Sequence, residues 1–357
     1  MSTLKVDGIR SNSATSDAIT LASDGTCTAN ITNNLSNRNI IINGAMQVAQ
    51  RGTSTTTNGY LIDRFRSNLG GLDQFAFTMS QSSDAPTGFR RSLKFDVTTA
   101  ETGGIGSDEY AGLRYIIEAQ DVAHLLHGTS AAKTFTLSFY AKAYQTGTYA
   151  VNFYVGDSAR IYNATYTINQ SATWEKKTIT VVGDTGGSGI NLDNGHGIYI
   201  NWFLGSGTDY TSSSSALNQW SNYQDASWAH GQVVDITSST NNYFQLTGVQ
   251  LEVGSVATDF EHRPFGQELA LCQRYCYNHE IQGSIGPYAM QYEASHKFVH
   301  DFFPVTMRAQ PSYTITYNTS SPTPYYPSST HFKAYVNSAY NATSTIYMSS
   351  AIYFAEL

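Results

Sequence analysis

Residues 205–231 gather the groups in this chain best suited to non-covalent recognition. Tyr210, Trp220, Tyr223 and Trp228 stand there among Ser, Asn, Gln and Asp. Aromatic rings stack on the apolar C–H faces of sugars, while amides and carboxylates pair with the hydroxyls. A loop this long inside a compact domain is either functional or a packed Ω-loop. Two readings stand side by side: sugar contact, and indoles folded back over a sheet edge. A second aromatic cluster, Tyr325, Tyr326, Tyr335 and Tyr340, fits surface contact or packing between subunits equally well. The candidate glycan-binding residues are therefore Tyr210, Trp220, Tyr223, Trp228, Tyr325 and Tyr326.

Catalytic patterns do not emerge. Asp108, Glu109, Glu118, Asp121 and Glu175 are scattered and form no motif for the paired carboxylates of glycoside hydrolysis. There is no Gly-x-Ser-x-Gly elbow. The Gly-rich run that starts at Asp184 lacks the lysine and the helix of a phosphate site. Asp63 beside Arg64 reads as a structural ion pair or loop cap. His124 and His127, three apart, read as a polar helix face. Cys272 and Cys276, four apart on a predicted helix, fit packed free thiols, and with His279 they lack the fourth ligand of a zinc site. No calcium ligand set is readable in the long loop. The expectation is a protein that is not an enzyme, with no cofactor and no metal.

Composition agrees with a surface-active β-protein. Charged residues are 13% of the 357, and Tyr alone occurs 25 times. The net charge of −7 and the absence of a basic run exclude a phosphate-neutralising face, so no nucleic acid partner is expected. No stretch of 18 apolar residues occurs, so membrane insertion is not expected. Met1-Ser-Thr-Leu-Lys carries no apolar signal core, which implies synthesis in the cytoplasm.

The elements that must position these groups are strands. In residues 243–253 apolar Phe244, Leu246, Val249, Leu251 and Val253 alternate with polar residues. The alternation slips at Gly248, which predicts a β-bulge; Gly254 ends the strand. Similar runs begin at Phe75, Arg91, Leu113, Lys133, Thr148, Tyr162, Trp174 and Gly197. Eight or nine short strands with turn residues between them predict a jelly roll. A short helix is expected within 117–126, and a longer one over 266–278, with Leu269, Cys272 and Cys276 on one stripe. Three short β-patches lie in residues 1–38, too few to bury a core alone.

Residues 245–254 (Gln-Leu-Thr-Gly-Val-Gln-Leu-Glu-Val-Gly) and 260–275 (Phe-Glu-His-Arg-Pro-Phe-Gly-Gln-Glu-Leu-Ala-Leu-Cys-Gln-Arg-Tyr) resemble a segment recurring in tail-fibre and adhesion proteins of tailed bacteriophages, especially marine and cyanobacterial phages. Residues 39–53 and 60–65 resemble the segment that opens the same domain. The resemblance implies an all-β chain. An N-terminal arm (1–38) would attach to other virion structural proteins. A jelly-roll domain similar to carbohydrate-binding modules (39–265) would form the body. A linking helix (266–278) would lead to a small C-terminal β-domain (279–357). It implies a homotrimer, assembled in the host cytoplasm into the virion, that attaches to a host-surface glycan or protein without catalysis. The alternatives are an architectural connector or capsid fibre with no receptor and, less well supported, a polysaccharide-degrading tailspike.

Overall fold

Alternating apolar residues form strands wherever a sheet can bury one face. In the computed structural model, which describes residues 6–21, 23, 27–29, 37–279, 290–293, 296–317, 323–324, 327–337 and 348–357, nearly every such run is a strand. Three short ones open the chain: β1 (Gly8–Ile9), β2 (Ile19–Leu21) and β3 (Cys27–Ala29), paired in that order.

Twelve strands follow. They are β4 (Ser54–Thr55), β5 (Phe65–Gly70), β6 (Ala76–Ser82), β7 (Ser92–Thr99), β8 (Tyr110–Glu118) and β9 (Phe135–Ala143). Then come β10 (Gly147–Val155), β11 (Arg160–Ile168), β12 (Glu175–Val181), β13 (His196–Ser206), β14 (Trp220–Asn222) and β15 (Tyr243–Val253). They make a jelly-roll sandwich of two antiparallel six-stranded sheets. The front sheet runs β14-β11-β10-β13-β8-β5, and the back sheet runs β12-β9-β15-β7-β6-β4. Between the sheets lies one core, with Leu113, Val151, Phe153 and Trp202 from the front and Phe95, Leu137, Phe139 and Leu246 from the back. Three more strands exist than the sequence suggests, because the short β4, β5 and β14 carry too little alternation to register.

The strand predicted over 243–253 forms with those bounds and occupies the middle of the back sheet. The bulge is where the pattern slips. Thr247 faces Tyr140 and Gln250 faces Ser138, so Gly248 and Val249 together oppose Phe139. Gly248 has φ +60°, and a Cβ there would lie 2.7 Å from the Phe89 ring. The bulge keeps Val249 and Leu251 in the core with Phe244 and Leu246. It also floors a hollow of about 230 Å³ lined by Phe89, Tyr140, Phe260 and His262. Beyond the bulge, residues 39–44 replace β7 as the neighbour: Ile40 N donates to Leu251 O, and Val249 N donates to Gly44 O.

Two expectations need correction. The segment 117–126 is strand up to Glu118 and then a 3-10 helix, Ala119–Leu125. The helix expected over 266–278 is α2, Phe265–Gln273; a four-residue helix, α1 (Thr208–Thr211), precedes it in the chain. The chain turns at Arg274, and Cys276–His279 becomes β16. Cys, Tyr, Asn and His are weak helix formers, and pairing with the last strand outweighs the apolar stripe. Cys272 and Cys276 are free and buried.

The remaining strands are β17 (Met290–Glu293), β18 (His296–Phe302), β19 (Ser312–Tyr317), β20 (Thr323–Pro324), β21 (His331–Asn337) and β22 (Met348–Phe354). They form two sheets, β16-β22-β19 and β17-β18-β21-β20. A small core of Met307, Phe332, Ala351 and Tyr353 joins them. This part is bonded to the sandwich. Glu356 lies 2.9 Å from Arg51 and 2.5 Å from the buried Arg64. Glu118, itself buried, accepts from Arg274 at 2.6 Å and from Tyr275 Oη at 2.6 Å. Asp63 pairs with Arg51 rather than with its neighbour Arg64.

Candidate functional site

Successive side chains of a strand face opposite sides. While Val151, Trp202 and Leu113 enter the core, Asn152, Asn201 and Arg114 point to the outer face of the front sheet. Register aligns them: Asn163 faces Asn152, Asn152 faces Asn201, Asn201 faces Arg114, and Arg114 faces Arg66. A single polar row thus crosses five strands. It is wired in sequence. Arg114 Nε donates to Asn201 Oδ1 at 2.7 Å, Asn201 Nδ2 donates to Asn152 Oδ1 at 2.7 Å, and Asn152 Nδ2 donates to Trp228 O at 2.5 Å. These bonds use the backbone of the long loop to hold it against the sheet.

Aromatic rings line the row. Tyr154 and Tyr199, opposite each other on β10 and β13, have centroids 5.5 Å apart. The Arg114 guanidinium lies 5.4 Å from the Tyr199 ring and 5.3 Å from Trp228. Arg66 lies 5.3 Å from Tyr60. Tyr60, Tyr110, Tyr154, Tyr199, Arg66 and Arg114 all keep part of their surface open. Among the described residues neither arginine has a carboxylate partner within 4 Å. Burial, and Arg66 alongside, lower the Arg114 pKa from its ordinary value. Asn152 and Asn201 are buried beneath the loop and spend their amides on these bonds, so they position Arg114 rather than meet a ligand. Two partly open cations beside partly open rings make a surface for an anionic ligand.

The loop aromatics occupy distinct places. Trp228 is buried, with its ring against Phe203, Tyr154 and Tyr223. Tyr223 is 5.0 Å from Tyr154, and its hydroxyl donates to Asp225 at 2.8 Å. Tyr210, on α1, meets Tyr110 edge-on at 5.2 Å. Trp228 lies over the middle of the row, its carbonyl bonded by Asn152 and its ring beside Arg114. Trp220 stands apart on β14 at the sheet edge. Its indole donates to Val182 O at 2.7 Å, and its ring meets His127 and Tyr162. Tyr325 and Tyr326 lie outside the described residues.

The sequence reading missed Arg66, Arg114, Asn152, Asn201, Tyr154 and Tyr199. A signal existed: Asn152, Asn201 and Arg114 are each a polar residue flanked by apolar neighbours in mid-strand. What assembles them is the strand order β10-β13-β8-β5, which local pattern does not contain.

No known family model matches the chain, and no curated protein matches it. Solved structures similar to it include the enzymatically active domain of tailspike protein 4 of bacteriophage CBA120, 14% identical with a TM-score of 0.34; the match covers 61% of this chain and 22% of that one. A family 4 carbohydrate-binding module is 15% identical with a TM-score of 0.31, over 59% of this chain and 98% of the module. A family 11 module from Clostridium thermocellum, solved with a β-1,3-1,4-mixed-linked tetrasaccharide, is 12% identical with a TM-score of 0.28, over 59% and 98%. The chain spans about a fifth of the tailspike structure, and at these TM-scores none of the likenesses carries an argument about what it binds.

Proposed function

We propose that this chain is a non-catalytic glycan-binding protein of a phage virion appendage, and that the outer face of the front sheet holds the sugar. The observation that carries the reading is the pair of partly open guanidiniums, Arg114 and Arg66, beside Tyr154, Tyr199 and Tyr60, with the buried Asn152 and Asn201 fixing Arg114. Rings stack on pyranose C–H faces, and the two guanidiniums favour a saccharide bearing carboxylate or sulfate. The resemblance of residues 39–53, 60–65, 245–254 and 260–275 to phage fibre proteins supports the virion setting. In this reading residues 1–38 dock on other virion proteins, the chain is a homotrimer, and weak contacts multiply across its copies.

The test is a glycan array with neutral and acidic saccharides, followed by calorimetry with Arg114→Met and Arg66→Met. A charged hydrogen bond is worth about 1.5–3 kcal/mol, so each variant loses roughly 10- to 150-fold in affinity for an acidic sugar. Neutral sugars lose less. Wild-type protein that binds no saccharide, or variants that bind as tightly, refute the assignment of this face. Light scattering tests the trimer, and a monomer at all concentrations removes it.

A further inference from the structure

Three carboxylates converge away from the front-face row. Asp73 lies in the β5–β6 connection, Glu101 just beyond β7, and Glu109 just before β8. One oxygen of each lies within 4.8 Å of the others. Among the described residues no lysine, arginine or histidine pairs with any of the three. Glu109 Oε2 accepts a bond from Gly106 N at 2.6 Å. Glu101 is 6% exposed; its carboxyl is bonded by the Gln74 backbone and by Asp73, while its Oε2 is buried and has no hydrogen-bond partner among the described residues.

That arrangement is electrostatically incomplete. A buried, unpaired carboxylate oxygen is costly, and two like charges nearby raise the cost. Burial, then Glu109 and Asp73, push the Glu101 pKa upward. Yet the backbone is shaped to bring the carboxylates together. Gly71 has φ +79°, and a Cβ there would sit 2.8 Å from Asp108 O, so the turn before Asp73 approaches Glu109 only as glycine. Glu101 N is held by Thr237 O.

We infer that Asp73, Glu101 and Glu109 form a binding site for a divalent cation, Ca²⁺ by its preference for several hard oxygen ligands at adaptable angles. Exposed Asp73 leaves room for water to complete the shell. The cation would also brace the root of the long loop: Gly207 N donates to Glu109 O at 2.8 Å, and Asp209 N to Ser107 O at 2.9 Å. Cation binding would therefore slow opening of the segment that carries Tyr210 and leads to Trp228.

The experiment titrates chelator-treated full-length protein with CaCl₂ by calorimetry and thermal unfolding, with MgCl₂ and NaCl as controls at fixed ionic strength. One equivalent of Ca²⁺ binds, the unfolding temperature rises with its concentration, and amide exchange at residues 207–209 slows. Glu101→Gln and the exposed Asp73→Asn each abolish the Ca²⁺ response. Glu101→Gln without Ca²⁺ is at least as stable as the chelated wild type, because it removes repulsion. A wild type with no Ca²⁺-dependent heat and no shift overturns the inference, and so does a Ca²⁺ response unchanged in both variants. A chelated protein in which Glu101 simply retains a proton, its stability falling as pH rises and unaffected by Ca²⁺, overturns it as well.

Discussion

Replacing Glu356 by alanine probes how the final strand is anchored. Arg64 is 1% exposed and Glu356 8%, with 2.5 Å between Nη1 and Oε2. The other terminal nitrogen of Arg64 donates to Ile116 O, and the guanidinium carbon lies 3.6 Å over the Tyr275 ring. Among the described residues Arg64 Nε has no hydrogen-bond partner. Arg51, 2.9 Å from Glu356, also faces Asp63 at 3.5 Å. After the substitution Arg51 keeps an anion, but among the described residues Arg64 keeps none. Removing one partner of a buried pair costs about 3–5 kcal/mol, mostly the penalty of the charge left behind. At about 2–4 °C per kcal/mol for a domain of this size, the unfolding temperature falls by roughly 6–20 °C. Calorimetry measures the shift, and hydrogen exchange shows the loss concentrated in residues 348–357. The double variant Arg64→Met with Glu356→Ala recovers most of the loss, since no charge is stranded. A single variant that costs under about 1 kcal/mol, or a double variant no better than the single, refutes the reasoning.

Three further outcomes follow from local geometry. Gly248→Ala forces a side chain onto φ +60° and into the Phe89 and Tyr140 rings, so it destabilises by about 1–3 kcal/mol, read by denaturant titration. Glu118 is pulled upward by burial, but bonds from Arg274 and Tyr275 prevail and hold its pKa below 4.5. Its stabilisation is thus present above pH 4.5 and lost as pH falls through the native value; Glu118→Gln flattens that acid limb, and an unchanged limb refutes the assignment. Asp301 raises the His279 pKa above 6.5 against a smaller effect of burial. That contribution is complete below pH 6.5 and disappears as pH rises through the native value, so His279→Gln removes a loss of stability on the alkaline side that the wild type shows.

Much of the sandwich was legible because nine of its strands run 7–11 residues and mostly alternate. The bulge was legible too, since a slipped alternation at glycine has one economical solution. The helix end was not. The stripe of Leu269, Cys272 and Cys276 runs on at helical spacing, and the partner that draws Cys276 into a strand is Phe354, some 80 residues away. The polar row failed to register for the same reason. Arg66 and Arg114 are 48 positions apart, and only the pairing of β5 with β8 sets them face to face. The long loop was recognised as special, but the balance between packing and contact is decided by the sheet beneath it. Trp228 packs because Phe203 and Tyr154 receive its ring edge-on at that spot.

The sandwich begins and ends in one place. Asn37 and Asn39 donate their amides to Glu261, Arg38 reaches Thr258 and Asp259, and Arg263 returns to Ile41 and Asn39. Tension applied between the first 36 residues and the helix at Phe265 therefore enters and leaves within this one cluster of bonds. The load passes by the two sheets rather than through them. A surface carried on the front sheet stays unstrained while the chain is pulled, and the cluster would give way, by unzipping, before the face deforms.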